Sequence, residues 1–409
     1  MPVLKNISTL ATCKAGSGQA DAGKIRRAAL VWQGERLLWA GGEGDLPKEY
    51  DTWESIDAGG RLVIPGLIDC HTHLVFGGSR AGEFVERLKG VGHAGLAARG
   101  GGILATVRDT RCLDKNALKL RASEWLQHML LCGVTAVEVK SGYGLDGATE
   151  MRMLEAVRDL NQEQPVQLVS TYLGAHTLPV EYQGRREAYV CRICEEWLPE
   201  IAGRGLARFC DAFIEQDAFT AAEGRSIFKV AAGLGLGIKV HAEQLSHSGG
   251  AALAAEFRAA SADHLEWVDA GDIAQLKASG TVAVDLPLAM LLTSPGRSTP
   301  VRELIAAGVP VAVATDFNPG SAPCPSLPQA LWLACVVQKL TPDEVLKGAT
   351  LHAAMALGLQ DTQGSLETGK LANFCIMDAQ DTADWLYHFN ARACRRVFIK
   401  GREMLQHAH

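Results

Sequence analysis

At 409 residues, 47% of them hydrophobic, the chain carries more apolar mass than one small domain can bury. A net charge of −6 with 6% aromatic residues offers no polyanion-binding face, so nucleic acid is not expected as a partner. No apolar run reaches the roughly 18 residues of a membrane span, and MPVLKNISTLATCK at the start lacks the layout of a signal peptide. In chain order, residues 1–61 contain AALVWQGERLLWAGG, two short strands around Gly34 that read as a hairpin. From residue 62, strand-like and helix-like runs alternate. The strand candidates are 62–71, 135–141, 166–175, 208–215, 237–243, 261–266, 281–286 and 310–316. Helical patterns such as NALKLRASEWLQHMLLCG, ATEMRMLEAVRDLNQ, AAEGRSIFKVAAGLG and TPVRELIAAG separate them, often closed by Gly.

Most of these strands are continuous apolar runs, as parallel strands covered by helices on both faces require. Eight β/α units over this length predict an α/β fold, a (β/α)8 TIM barrel over 62–366. No G-x-G-x-x-G follows the first strand, which argues against a dinucleotide fold. ANFCIMD (372–378) and CRRVFIKGREML (394–405) are again short strands with a Gly turn. The two ends, 1–61 plus 367–409, are expected to combine into one small β-sandwich domain beside the barrel. The eleven cysteines are scattered, which suits a reducing cytoplasm better than a disulfide framework. Cys191 and Cys194 form a lone C-x-x-C in a helix-like segment and read as packed thiols.

Catalytic residues of a TIM barrel sit at the C-terminal ends of its strands. Strand 1 ends in His71 and His73, whose i, i+2 spacing turns both imidazoles to one side of an extended chain. Strand 2 runs into Lys140 and Tyr143, and strand 3 into His176. Strand 5 ends in His241, Glu243 and Gln244, and strand 6 in Asp263 and His264. Strand 8 ends in Asp316, followed by FNPGSAP. Each histidine alone reads equally well as a structural one; five of them with an aspartate on one rim point to a metal site.

This arrangement resembles the amidohydrolase superfamily, with its H-x-H on strand 1, His on strands 5 and 6, and Asp on strand 8. The resemblance implies that His71, His73, His241 and Asp316 bind one divalent metal ion per chain, zinc or iron. It implies that His264 orients the attacking water or contacts a carbonyl oxygen. Strand 4, RFCDAFIE, ends without the lysine that bridges two metals in many relatives, so a mononuclear site is expected. PGLIDCHTHLVFGGSR, GGGILATVRDTR, EVKSGYGL, TYLGAHTLP, KVHAEQLSHSGGAALA and ATDFNPGSAP are similar to the branch of that superfamily that opens an imidazolone ring in histidine degradation.

The implied reaction is hydrolysis of 4-imidazolone-5-propanoate to N-formimidoyl-L-glutamate. In that reading Arg80 binds the substrate's carboxylate, and Tyr143 and His176 contact the substrate. Asn318, Gly320 and Ser321 line the pocket and hold product, and Asp316 takes the water proton and passes it to the leaving nitrogen. Gln244 occupies the place where some relatives carry a catalytic Glu, and an amide cannot carry a proton; it is expected to orient the substrate. Glu243, two residues past His241, would face the same side on an extended backbone and supply the acid, or else form a buried ion pair. His93, Arg108 and Arg111 are left unassigned. The competing readings are another mononuclear amidohydrolase, such as a purine or pyrimidine deaminase, and a non-catalytic barrel scaffold. A cytoplasmic enzyme acting on a small molecule, without membrane contact and compatible with a homodimer, is expected.

Overall fold

A computed structural model describes residues 2–91, 95, 100–293 and 296–406; His93 lies outside them. The chain opens with β1 (Pro2–Ala11), β2 (Lys24–Gln33), β3 (Arg36–Gly42) and β4 (Glu54–Pro65). Eight strands follow: β5 (Leu67–Asp69), β6 (Val134–Lys140), β7 (Gln167–Ala175), β8 (Phe209–Ile214), β9 (Gly237–Ala242), β10 (Ser261–His264), β11 (Val282–Asp285) and β12 (Val311–Val313). The last three are β13 (Phe374–Met377), β14 (Cys394–Ile399) and β15 (Arg402–Gln406).

β5 to β12 form one sheet in sequential order, every pair parallel. All seven residues of β6 are buried, as a strand covered on both faces must be. The helices between strands start where the side chains dictate. Asp114 and Asp146 accept backbone N–H groups of the first turns of Lys115–Leu131 and Gly147–Glu163. Thr220, Asp269 and Thr341 each form a reciprocal capping box with the acidic residue three positions on. Gly280 and Gly308 close two helices in the left-handed conformation just before a strand. The first and last strands of the barrel meet just past their ends. Thr72 and Phe317 form a parallel bridge, His73 N donates to Phe317 O at 2.9 Å, and Asp316 N donates to His71 O at 3.0 Å.

The two chain ends make a separate, continuous seven-stranded sheet in the order β15-β14-β13-β4-β1-β2-β3. β1 runs parallel to β4, and β13 pairs antiparallel to β4, so the C-terminal strands extend a sheet begun by the N-terminus. Its apolar face packs Trp32 edge-on against Phe374 and Phe398. Lys400 and Gly401, both at positive φ, form the two-residue turn between β14 and β15.

One expected strand divides. The run 62–71 is not a single barrel strand: Leu62–Pro65 finishes β4 and pairs with β13, and only Leu67–Asp69 enters the barrel. Gly66 is the crossing point. A Cβ there would lie 2.4 Å from Thr135 Oγ1, so the chain passes from one sheet to the other only without a side chain. Among the described residues no helix is long and apolar enough to cross a membrane.

Candidate active site

His71 and His73 flank Thr72 at the barrel's closure, where the extended backbone keeps both rings on one side. Asp316, at φ +53, faces them from the other edge of the seam. Asp316 Oδ1 lies 3.3 Å from His71 Nε2 and 3.4 Å from His73 Nε2; His241 Nε2, from β9, lies 3.5 Å from His73 Nε2. Four ligands each 2.0–2.1 Å from a tetrahedral centre stand about 3.3–3.4 Å apart, so the separations suit one zinc-sized ion. His264, at φ +82, closes a further group with His71 and His241. His71 Nε2 is buried and makes no hydrogen bond within the protein, which suits a metal-binding nitrogen.

The electrostatics favour a cation there. Burial and Lys140 pull the His71 pKa down, but Asp263 and Asp316 outweigh them and raise it. Burial raises the Asp316 carboxyl, yet the adjoining His71 and His73 imidazoles hold it well below the usual range. Burial, with the neighbouring charged groups, keeps His73 and His241 below the ordinary imidazole value, and His264 falls to about 4 for the same leading reason. Neutral imidazoles are the ligand form. Asp263 is held well below its usual range because Lys239, Lys140 and His71 overcome burial. It therefore accepts at 2.6 Å from His71 Nδ1, leaving the Nε2 lone pair facing Asp316.

A cavity of about 390 Å³ opens over these groups, lined by His73, His241, His264 and Asp316 and also by Arg80, Tyr143, His176, Gln244, Asn318 and Ser321. His176 stacks on His73 at 5.0 Å; its Nδ1 donates to Gly142 O at 3.0 Å, and burial lowers its pKa to about 3. Arg80 spends Nε and Nη2 on Glu83 at 3.0 and 2.8 Å. A Cβ on Gly320 would lie 2.0 Å from Arg80 Nη1, so the loop after β12 seats this guanidinium only with glycine there. Asn318 folds the same loop, its Oδ1 accepting from Gly320 N and Ser321 N at 2.7 and 2.8 Å. Gln244 Nε2 points to Thr293 Oγ1 at 3.5 Å.

Glu243 departs from expectation. Its φ of +53 breaks the extended alternation after His241 and turns the side chain away from the cavity. The carboxylate instead accepts Ser248 N at 2.5 Å and Ala251 N at 3.1 Å, holding the start of the helix Gly250–Glu256. Burial raises its pKa against those bonds. Arg108 and Arg111 are also engaged elsewhere, with Gly100 O, and with Gly144 O and Glu181.

Other lining residues were not anticipated. Arg87 reaches Gly320 O at 3.1 Å while its Nε is buried without a partner. Glu215, at the end of β8, accepts Leu245 N at 2.8 Å and so shapes the wall that carries Gln244. Beneath the site, Glu138, Lys140, Asp211, Lys239 and Asp263 are all fully buried. Their signal was present in the sequence as charged residues inside apolar strand runs, two positions apart in β6.

The chain belongs to the amidohydrolase family, whose model matches residues 62–404. Over 380 residues, 93% of this chain and 94% of the relative, it is 47% identical to an imidazolonepropionase of Pseudomonas aeruginosa. It is 46% identical over 381 residues to one of Erwinia tasmaniensis, with the same coverage. The fold matches a 5-methylcytosine deaminase from Klebsiella pneumoniae with a TM-score of 0.76 at 19% identity, covering 100% of this chain and 98% of that one. It also matches an atrazine chlorohydrolase from Arthrobacter aurescens, solved with zinc, with a TM-score of 0.70 at 18% identity, covering 99% and 95%.

Proposed function

We propose that the protein hydrolyses the cyclic amide C–N bond of 4-imidazolone-5-propanoate, giving N-formimidoyl-L-glutamate in histidine degradation. The observation that carries this reading is that one cavity holds both the ligand cluster and two guanidiniums, Arg80 and Arg87. The substrate has a matching polarity, a cyclic amide at one end and a carboxylate at the other. The full-length similarity to imidazolonepropionases supports the same assignment.

His71, His73, His241 and Asp316 would hold one divalent ion per chain, zinc or iron. Bound there, it would supply Lewis acidity, lowering the pKa of water and polarising a carbonyl oxygen. The side chains do the remaining work. Arg80 binds the propanoate through its planar fork. Tyr143 and His176 hold the ring, His176 offering Nε2 because Nδ1 is committed to Gly142 O. His264, neutral at working pH, orients the attacking water against the carbonyl.

Asp316 directs Oδ1 to the ligand histidines, while Oδ2 lies 3.4 Å from Ser321 Oγ. Its carboxylate accepts the proton of the attacking water and delivers it to the ring nitrogen as the C–N bond breaks. Asn318, Gly320 and Ser321 retain the product. Gln244 orients the substrate and leaves proton transfer to Asp316 and His264; a deaminase of this fold would want a carboxyl in its place. The protein works in the cytoplasm, and a homodimer is compatible with this role. The test is ring opening of freshly generated imidazolone propanoate, with and without chelator: turnover that chelation abolishes is expected, and no turnover by metal-loaded protein rejects the assignment.

A further inference from the structure

The layer of charge beneath the ligands is wired through a single lysine. Lys140 Nζ, on β6, lies 2.7 Å from Asp211 Oδ2 of β8, 3.4 Å from Asp263 Oδ2 of β10 and 3.1 Å from Glu138 Oε1. Those two aspartate oxygens are the ones that face imidazoles. Asp263 Oδ2 is 2.6 Å from His71 Nδ1, and Asp211 Oδ2 is 2.9 Å from His241 Nδ1. The other oxygen of each carboxylate is pinned as well, Asp263 Oδ1 by Ser261 Oγ at 2.5 Å and Asp211 Oδ1 by His241 N at 3.2 Å. The hydrogen bond to Asp263 confines the His71 ring in rotation and tautomer, while Asp211, held by the His241 backbone N–H, keeps a carboxylate oxygen beside the His241 Nδ1.

We propose that Lys140 is a positioning residue of the metal site: one buried ammonium holds Asp263 against His71 and Asp211 against His241, and thereby sets which ring nitrogen both ligands turn to the metal. Lys239 provides the contrast. It is equally buried, but its ammonium goes to Glu138 Oε2 at 2.6 Å and Cys70 O at 3.0 Å, not to either aspartate. Both lysines act on Asp263 through charge, but among the described residues Lys140 alone lies within ion-pair distance of Asp211 and Asp263.

The proposal rests on the ligand assignment above, and the experiment separates the two. Zinc affinity of the full-length apoprotein is measured by competition with a chromophoric chelator, and the ligand field by the visible absorption of the cobalt form. Near-UV circular dichroism checks that each apo variant is folded. Lys140→Met is expected to bind zinc about 10–100-fold more weakly, with an altered cobalt spectrum. Lys239→Met is expected to lose stability while keeping the wild-type cobalt spectrum. Wild-type affinity and spectrum in Lys140→Met, or equal losses in both lysine variants, overturn the proposal. If Lys140→Met does not fold, the near-isosteric Asp211→Asn and Asp263→Asn decide: weakened zinc binding in both supports it, wild-type binding in both overturns it. Wild-type protein that takes up neither zinc nor cobalt rejects the ligand assignment itself, and the proposal falls with it.

Discussion

Arg80 enters the cavity already half engaged, its Nε and Nη2 on Glu83. That pairing fixes the guanidinium plane before substrate arrives and leaves Nη1 on the side of Gly320. Losing a charge-assisted bond to the carboxylate costs about 1.5–3 kcal/mol, so Arg80→Ala should raise KM by about 10–100-fold with a smaller change in kcat. Arg80→Lys should recover little of this, because an ammonium cannot pair with Glu83 and a carboxylate in one plane; steady-state kinetics decide both. Asp285 supplies a pH test away from the chemistry. Burial raises its carboxyl to about 7, against the bond from Gln338 Nε2 at 2.5 Å. Between the unfolded value, about 3.9, and about 7 the folded chain binds one more proton than the unfolded one, so stability falls as pH rises through that window. Asp285→Asn should flatten the dependence and stabilise the protein at pH 8 by on the order of a few kcal/mol relative to pH 4, read by urea unfolding at both. Half of the residues lining the cavity were legible in sequence because strand ends are, and strand ends place His73, His241, His264 and Asp316. Glu243 was not, since nothing in H-A-E-Q announces a positive φ. Lys140 stood out only as a strand-end residue and Asp211 not at all; which carboxylate meets which ring is a cross-strand fact that no single stretch contains.

Among the elements, the barrel strands follow the apolar runs to within a few residues, and the helices between them follow their caps. The exception is the first, where Pro65-Gly66 lies inside an unbroken apolar run that serves two sheets in succession. Hydrophobicity is the same on both sides of that point, so only contact with Thr135 distinguishes a crossing from a continuous strand. Gly66→Ala should therefore cost about 1–3 kcal/mol by overpacking. Adding Thr135→Ala, which removes the two atoms nearest the new methyl, should return most of it, a coupling that a double-mutant cycle of denaturation midpoints measures. Glu243 tests a second element boundary. Glu243→Gln keeps an acceptor for Ser248 N and Ala251 N, and kcat should stay close to wild type while stability drops by about 1 kcal/mol. A loss of activity by orders of magnitude would return Glu243 to the chemistry.

At the scale of the whole molecule, the terminal sheet and the barrel share the crossing at Gly66, and the barrel's seam carries the proposed metal site. A metal that binds only the folded chain stabilises it by mass action, about 2.7 kcal/mol at a free concentration one hundred times Kd. Chelation should lower the unfolding midpoint accordingly, and in Asp316→Asn the chelator should have almost no further effect; calorimetry with and without chelator checks both.

The seam also imposes an order in time. His71 and His73 emerge early in synthesis, but their partner Asp316 lies beyond seven further strands, and the backbone bonds that bring them together join the barrel's first and last segments. A nascent chain holds two of the proposed ligands long before it holds the proposed site. On the proposed ligand set, a ribosome-bound chain ending before residue 316 carries His71, His73 and His241 without Asp316, and the full set assembles when the last strand docks.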